Sequence, residues 1–218
     1  MEGFSEIMMD IIDGQDKRRW QSLISEVPHD FYHTNSYHQL DGNGKPQLIH
    51  YRNNDTIFLL PIILREIENS RYYDITSVYG YAGPLCNDHD PPKGIVEDFH
   101  RQLDQFFADN HIVSFFSRLH PLFGWQEKIT FTYGQVIPLN KTVYIDFAQS
   151  SDEQRRNYKK SLKHKINKLG RTGFSIRKAE TDSDMEGFVN LYHETMDRVN
   201  ADPSYYFSKE YFQHFLDA

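Results

Sequence analysis

A pair of apolar runs on either side of Asn53-Asn54-Asp55 limits the folds that this chain can adopt. The first run is PQLIHYR and the second is TIFLLPIILREIE. Two apolar runs joined by a short break of turn-forming residues are typical of antiparallel strands connected by a tight turn. The sequence therefore predicts a β-hairpin in the first half of the chain.

The segments around this hairpin alternate between strand-like and helix-like patterns. A strand and two helices precede it, and a strand, a helix, a strand, a short helix and two closing strands follow it. This order predicts a mixed α/β fold of the α+β type, built on a mixed sheet. The other predicted strands are residues 4–12, 71–80, 111–121, 130–139 and 142–147, and the predicted helices are 16–27, 35–40, 94–110 and 123–128.

The same order of elements begins again after the last of these strands. Ser150 and Glu153 form a capping-box pattern that starts a basic helix, and Gly170 is suited to end it. We therefore expect one complete unit, residues 1–147, and the beginning of a second, residues 148–218, which looks cut off. The remaining predicted elements are a strand at 173–179 and helices at 182–200 and 208–218.

The composition indicates a folded protein, because 14 Tyr and 16 Phe occur among the 218 residues. Cys86 is the only cysteine, which excludes an internal disulfide and a thiolate zinc site and fits a reducing compartment. No stretch reaches the ~20 apolar residues of a membrane span. We expect a cytoplasmic protein, and its net charge of −7 argues against general nucleic-acid binding.

The positive charge of this acidic chain is concentrated in one segment, which we call the basic segment (residues 155–178). It contains ten Lys and Arg and no Asp or Glu. Two explanations are open: it binds an anion such as tRNA, a nucleotide sugar or a phosphorylated glycan, or it is a solvated helix face neutralised by the acidic first unit. The candidate anion-binding residues are Arg155, Arg156, Lys159, Lys160, Lys163, Lys165, Lys168 and Arg171.

Three stretches carry a resemblance to a known family: SVYGYAGPLCND, FFSRLHPLF and YIDFAQSSDEQRRNYKKSLKHKINKLGRTGFSIRKAE. They resemble the FemAB-like relatives of the Fem family of bacterial aminoacyl-tRNA-dependent peptidyltransferases, which place two GNAT-like acyltransferase units in tandem. The resemblance implies one complete GNAT-like unit and the start of a second. It also implies a transferase that forms an amide on an amine of a cell-envelope precursor (peptidoglycan or polysaccharide) or another glycan precursor.

The donors that this resemblance implies are acetyl-CoA or another acyl-CoA, or an aminoacyl-tRNA. A CoA-binding GNAT unit opens its central helix with a Gly-rich loop whose N–H groups hold the pyrophosphate. Here the junction is YGYAGPLCNDHDPPKG, and its prolines offer no N–H. We therefore expect no cofactor on the first unit. The resemblance also implies direct attack of the acceptor amine on an activated ester or thioester, with the protein supplying positioning and oxyanion stabilisation. The residues identify no general base.

Six residues are candidates for substrate binding. Arg118 and His120 lie at the end of a predicted strand beside an expected groove between the units. Arg118 there either holds a carboxylate or phosphate or pairs with an aspartate structurally. Tyr79 and Tyr81 either line the same groove or serve only in packing. In the second unit, Arg198 and Tyr211 either lie near a pocket or are helix-surface and core residues. The six are Tyr79, Tyr81, Arg118, His120, Arg198 and Tyr211.

The histidines do not predict a metal site. His29 and His33 are four residues apart but follow Pro28 in a predicted loop, and no third ligand accompanies them. Cys86 has no neighbouring base in the sequence and is predicted to be a buried, unreactive thiol.

A second hypothesis comes from a different class of protein. The chain would be a non-catalytic binding or interaction module, or an RNA-binding module that uses the basic segment. If the second unit is unfinished, its sheet edge would need a cover, for example in a homodimer.

Overall fold

The computed structural model describes residues 7–130 and 132–217, with the side chains of residues 7 and 217 excepted. The chain divides into two compact units. One comprises Met1–Pro138 with His214–Ala218, and the other comprises Leu139–Gln213. We describe each unit by itself.

The first unit contains six strands and four α-helices among its described residues. A 3₁₀ turn, Phe31–His33, lies between the first two helices. In chain order the elements are β1 (Ile7–Asp13), α1 (Lys17–Ile24), α2 (Asn35–His38), β2 (Lys45–Asn53), β3 (Thr56–Glu66), β4 (Tyr73–Thr76), β5 (Leu85–Cys86), α3 (Lys93–Asp109), β6 (Ile112–Phe116) and α4 (Gln126–Thr130).

The strands form one mixed sheet in the order β1-β2-β3-β4-β6, with β5 paired to β3. The predicted hairpin is confirmed: β2 and β3 pair antiparallel from Asn53 opposite Thr56, and Asn54 turns the chain with φ +52°. β4 and β6 pair in parallel, and helix α3 provides the long crossover that a parallel pair requires. The mixed α/β class expected from the sequence is therefore correct.

Strand β3 is the centre of the core. All seven of its residues from Ile57 to Ile63 are buried, because helices and neighbouring strands cover it. Trp20 of α1 and Phe99 of α3 are fully enclosed, and the ring of Phe99 lies 4.9 Å from that of Phe58. Burial of such side chains stabilises a fold by about 1.5–3 kcal/mol each.

A gap on one side of β3 sends a loop out of the sheet. β3 pairs with β5 at Phe58–Leu59 and with β4 at Ile63–Glu66, so residues 60–62 have no partner on that side. Pro61, which has no N–H to donate, lies within this gap. The chain between β4 and β5, residues 77–84, consequently leaves the sheet and returns, and it carries two of the predicted site residues.

Two closing strands predicted for the first unit are absent: residues 132–147 form no strand, and Val143 and Phe147 are 96% and 85% exposed. The predicted strand at 173–179 is also absent, and Ile176 is fully exposed. An alternating apolar pattern forms a strand only where a neighbouring strand accepts its backbone hydrogen bonds. These segments have no such neighbour in the described structure.

The second unit is helical in its described residues. Its helices are α5 (Ser151–Asn157), α6 (Lys160–Arg171) and α7 (Asp182–Val199), and α8 (Lys209–Asp217) begins in it.

The sequence predicted a single helix where α5 and α6 stand. Ser150 and Glu153 form the predicted capping box, but Tyr158 and Lys159 adopt extended backbone conformations and divide the helix. The helix continues past Gly170 and is capped at Thr172, and Gly173 takes the positive φ of +78°. Among the described residues, no helix combines the length and apolarity needed to cross a membrane.

Candidate functional site

The loops that follow β4 and β6 meet at one edge of the sheet, because parallel strands end on the same side. The backbone N–H of Ser77 donates to the carbonyl of Phe116 at 3.1 Å, and that of Arg118 donates to the Ser77 hydroxyl at 3.4 Å. Four predicted residues are thereby brought together: Tyr79, Tyr81, Arg118 and His120. We call this group and the residues that hold it the sheet-edge cluster.

Gly80 fixes the shape of the first loop. Its φ is +115°, and a Cβ at this position would overlap the ring of Tyr32. The Tyr32 ring packs edge-on against Tyr81 with 5.6 Å between centroids, and the Tyr37 hydroxyl donates to the carbonyl of Tyr79 at 2.9 Å. Tyr32 and Tyr37 thus hold the loop from the side of the 3₁₀ turn and α2.

Arg118 is the exposed cation of the cluster. Its guanidinium carbon lies 5.7 Å from the ring centroid of Tyr79, which is 52% exposed. This is a cation–π geometry, and it leaves the N–H groups of the guanidinium available to a ligand. The structural pairing with an aspartate that the sequence left open does not occur with any described carboxylate, since none lies within 4 Å. The arrangement suits a carboxylate or phosphate ligand.

His120 is an anchor rather than a base in this structure. It is buried, its Nδ1 accepts from the Leu122 N–H at 3.2 Å, and its Nε2 lies 3.1 Å from Oδ2 of Asp30. Since Nδ1 accepts a hydrogen bond, the ring proton is on Nε2 and donates to the Asp30 carboxylate. Both ring nitrogens are therefore engaged, and neither is free to take a proton from a substrate.

Asp30 and Gln126 complete the support of the cluster, and sequence reasoning missed both. Asp30 also accepts from the N–H of Phe31 at 2.5 Å and so caps the 3₁₀ turn. Buried Gln126 accepts from the N–H of His120 at 2.5 Å and donates to the carbonyl of Pro84 at 2.9 Å. It thereby joins the loop after β4 to the loop after β6. No local signal identifies Asp30, which is 90 residues from its partner.

Two buried histidines lie in the elements that hold the cluster. Burial lowers the pKa of His33 to about 4 and that of His38 to about 3. In both side chains Nε2 is enclosed and has no hydrogen-bond partner in the described structure. Both are therefore neutral at neutral pH, and they add no positive charge beside Arg118.

The described residues contain no group of three His, Cys, Asp or Glu side chains placed to hold a metal ion. His29 bonds the carbonyl of Val27 at 2.9 Å, whereas His33 points into the core. Cys86 is buried, and burial raises its pKa to about 11, which is the unreactive thiol that the sequence predicted.

The other two predicted substrate-binding residues lie in the second unit. Arg198 is exposed in the last turn of α7. Tyr211, in α8, stacks on Phe207 with 4.3 Å between ring centroids and packs edge-on against Phe212. Tyr211 is therefore part of an aromatic cluster within its unit.

Only two of the ten cations of the basic segment have a described carboxylate within 4 Å. Arg156 lies 3.8 Å from Glu153, and Arg177 pairs with Asp184. No described carboxylate lies within 4 Å of the other eight cations. These are Arg155, Lys159, Lys160, Lys163, Lys165, Lys168, Arg171 and Lys178.

Comparison with known proteins adds no relative to these observations: the chain matches no family model, no curated protein and no solved structure.

Proposed function

We propose that the chain belongs to the N-acyl and aminoacyl transferases of the FemAB-like group and that its first unit is GNAT-like. The observation that carries the proposal is the topology of this unit. Four antiparallel strands are followed by the crossover helix α3 and by β6, which returns parallel to β4. The loops at the carboxyl ends of that parallel pair carry the exposed cation Arg118, and ligands commonly bind at such an edge of a sheet.

The proposed reaction forms an amide on an amine of a cell-envelope or glycan precursor. The amine nitrogen attacks the carbonyl carbon of an activated ester or thioester, the C–O or C–S bond breaks, and the amine proton leaves with solvent or the departing group. Such chemistry depends mainly on orientation and on stabilisation of the oxyanion. Arg118 would orient the substrate by binding its carboxylate or phosphate, with Tyr79 supporting the guanidinium.

The donor in this proposal is an acyl-CoA or an aminoacyl-tRNA. Helix α3 begins after Pro92, its N-cap residue, which makes no side-chain capping hydrogen bond. Pro91 precedes it, so two positions at this helix start have no N–H for a pyrophosphate. The proposal therefore assigns no CoA site to the first unit.

A matched pair of variants tests the role of Arg118. Arg71 makes the same type of contact elsewhere in the unit, with its guanidinium 5.3 Å from the ring centroid of Tyr72. We expect Arg118→Gln to weaken binding of an anionic substrate about ten- to a hundredfold, as loss of a charged hydrogen bond does. Arg71→Gln should leave binding unchanged.

The assay is calorimetric titration with acetyl-CoA, charged tRNA and a nucleotide-linked sugar precursor, followed by transfer of a labelled acyl group to an amine acceptor. Binding that depends on Arg118, together with transfer, supports the proposal. Equal binding by both variants would remove Arg118 from the site. Absence of binding and of transfer, also with any longer form of the protein, would overturn the transferase assignment.

A second candidate function is a non-catalytic module that binds a polyanion, such as RNA, through the basic segment. The observation that favours it is the eight cations without a carboxylate partner in the described structure. Loss of polyanion binding on raising the salt concentration, without any transfer activity, would favour this candidate.

A further inference from the structure

Helix α6 leaves its apolar side chains exposed in the described structure. None of the residues from Lys160 to Arg171 is buried, and the aliphatic side chains Leu162, Ile166 and Leu169 are 44%, 36% and 49% exposed. Isolated helices of about this length are marginal in water, and packing of an amphipathic face usually supplies their stability. An external surface that covers this face would stabilise the helix.

The side chains of α6 are divided between an apolar stripe and a basic remainder. At about 100° per residue, Leu162, Ile166 and Leu169 fall within an arc of roughly 60° around the helix axis. Lys163 and Lys165 flank this apolar stripe on opposite sides. The far side carries the basic residues Lys160, His164, Lys168 and Arg171 and the polar Asn167.

The charges indicate the chemistry of the covering surface. No described carboxylate lies within 4 Å of the five Lys and Arg of α6, so the surface that complements them is anionic. RNA would satisfy the cations but would leave the apolar stripe in water. An acidic protein groove would take the same three anchors, which have i, i+4, i+7 spacing, so failure of the chain to bind anionic vesicles is the result that would favour such a groove and overturn the lipid assignment.

We propose that α6 docks on an anionic membrane surface. The apolar stripe enters the boundary between headgroups and acyl chains, and the flanking lysines extend to the lipid phosphates. The helix spans about 18 Å, which is shorter than the hydrocarbon core, so it lies on the membrane and does not cross it. This inference does not depend on the proposed transferase activity.

Vesicle flotation tests the partner. We expect the chain to bind vesicles of phosphatidylcholine with phosphatidylglycerol at least about tenfold more tightly than phosphatidylcholine alone, and to be released by salt. Lys165→Glu with Lys168→Glu should weaken this binding by at least about thirtyfold. The matched control reverses two exposed cations of α1, Lys17→Glu with Arg18→Glu, and should bind as the unchanged chain.

The apolar stripe distinguishes lipid from RNA. Ile166→Gln should weaken vesicle binding, whereas Leu191→Gln, at a leucine of α7 that is 63% exposed, should not. Binding of single-stranded RNA with vesicle binding absent, or vesicle binding insensitive to Ile166→Gln, would overturn the proposal. Both substitutions are at exposed positions, so neither should prevent folding.

A fluorescent label reports insertion directly. Cys86 is buried, so an environment-sensitive dye can be attached selectively at Leu162→Cys or at His164→Cys, about 160° away around the helix. Addition of anionic vesicles should shift the emission to shorter wavelength at position 162 and leave it nearly unchanged at position 164. Equal responses at both positions would show that the helix does not lie on the membrane by its apolar stripe.

Discussion

The buried, neutral histidines predict how the first unit responds to acid. His33 and His38 have pKa values of about 4 and about 3 in the folded chain, against 6.5 when exposed, because burial disfavours the charged ring. Below pH 6.5 the unfolded chain therefore binds more protons than the folded chain, and the free energy of unfolding decreases as the pH is lowered. The stabilisation is fully present above about pH 6.5 and is lost as pH falls towards 4 and 3.

The size of the effect follows from the same values. At pH 5, which is about 1.5 units below the pKa of a histidine in the unfolded chain, protonation stabilises the unfolded chain but not the folded one. Each of the two residues thereby lowers the free energy of unfolding by roughly 2 kcal/mol. Two such residues together remove about 4 kcal/mol, a large part of the 5–15 kcal/mol that stabilises a typical domain. We expect the first unit to unfold in acid well before its carboxylates are fully protonated.

The perturbation is His38→Asn, whose amide can replace the Nδ1 hydrogen bond to the Thr34 carbonyl, 3.0 Å in the histidine. Its free energy of unfolding should fall about 2 kcal/mol less between pH 8 and pH 5 than that of the unchanged chain. Urea titration followed by tryptophan fluorescence measures this, because Trp20 and Trp125 both lie in the first unit. The control is His29→Asn at an exposed histidine. Equal pH dependence in the His38 variant and the unchanged chain would refute the reasoning.

Three further changes have expected outcomes. Gly80→Ala should lower the free energy of unfolding by about 1–3 kcal/mol, because φ is positive there and the new Cβ would overlap the Tyr32 ring. Gly94→Ala in α3, where a Cβ meets open space, should not, and thermal unfolding compares the two variants. Leu60→Ala should cost about 2–5 kcal/mol in urea unfolding, since this side chain is 1% exposed, and a loss below 1 kcal/mol would contradict the assigned core. Thr181→Ala should cost about 1 kcal/mol, measured by circular dichroism, because it removes the cap of α7.

Local patterns predicted the elements whose stability is local or whose partner is a neighbour in the chain. The hairpin follows from Asn54 between two apolar runs, and the start of α5 follows from Ser150 and Glu153. The strands predicted within residues 130–147 and 173–179 failed for the opposite reason. Their apolar alternation describes a side chain pattern, but a strand also needs a partner to accept its backbone hydrogen bonds.

The candidate site was predictable in part for the same reason. Tyr79 and Arg118 could be chosen because each lies near the end of a predicted strand, and strand ends place loops at sheet edges. The contacts of Asp30 and Gln126 could not be predicted, since each connects segments that no periodicity relates. His120 was chosen as a candidate, but only the hydrogen bonds of its two ring nitrogens reveal that it anchors the loop.

The two proposed binding surfaces differ in how many cations they use, and this difference separates them experimentally. The sheet-edge cluster offers the single exposed cation Arg118 beside neutral histidines, so binding there involves few charges and depends on geometry. Helix α6 offers five cations without described carboxylate partners, so its attraction sums many weak terms that salt screens together. Raising the ionic strength should therefore abolish vesicle binding while it only weakens a ligand held by Arg118, and one salt series can assign each bound anion to its surface.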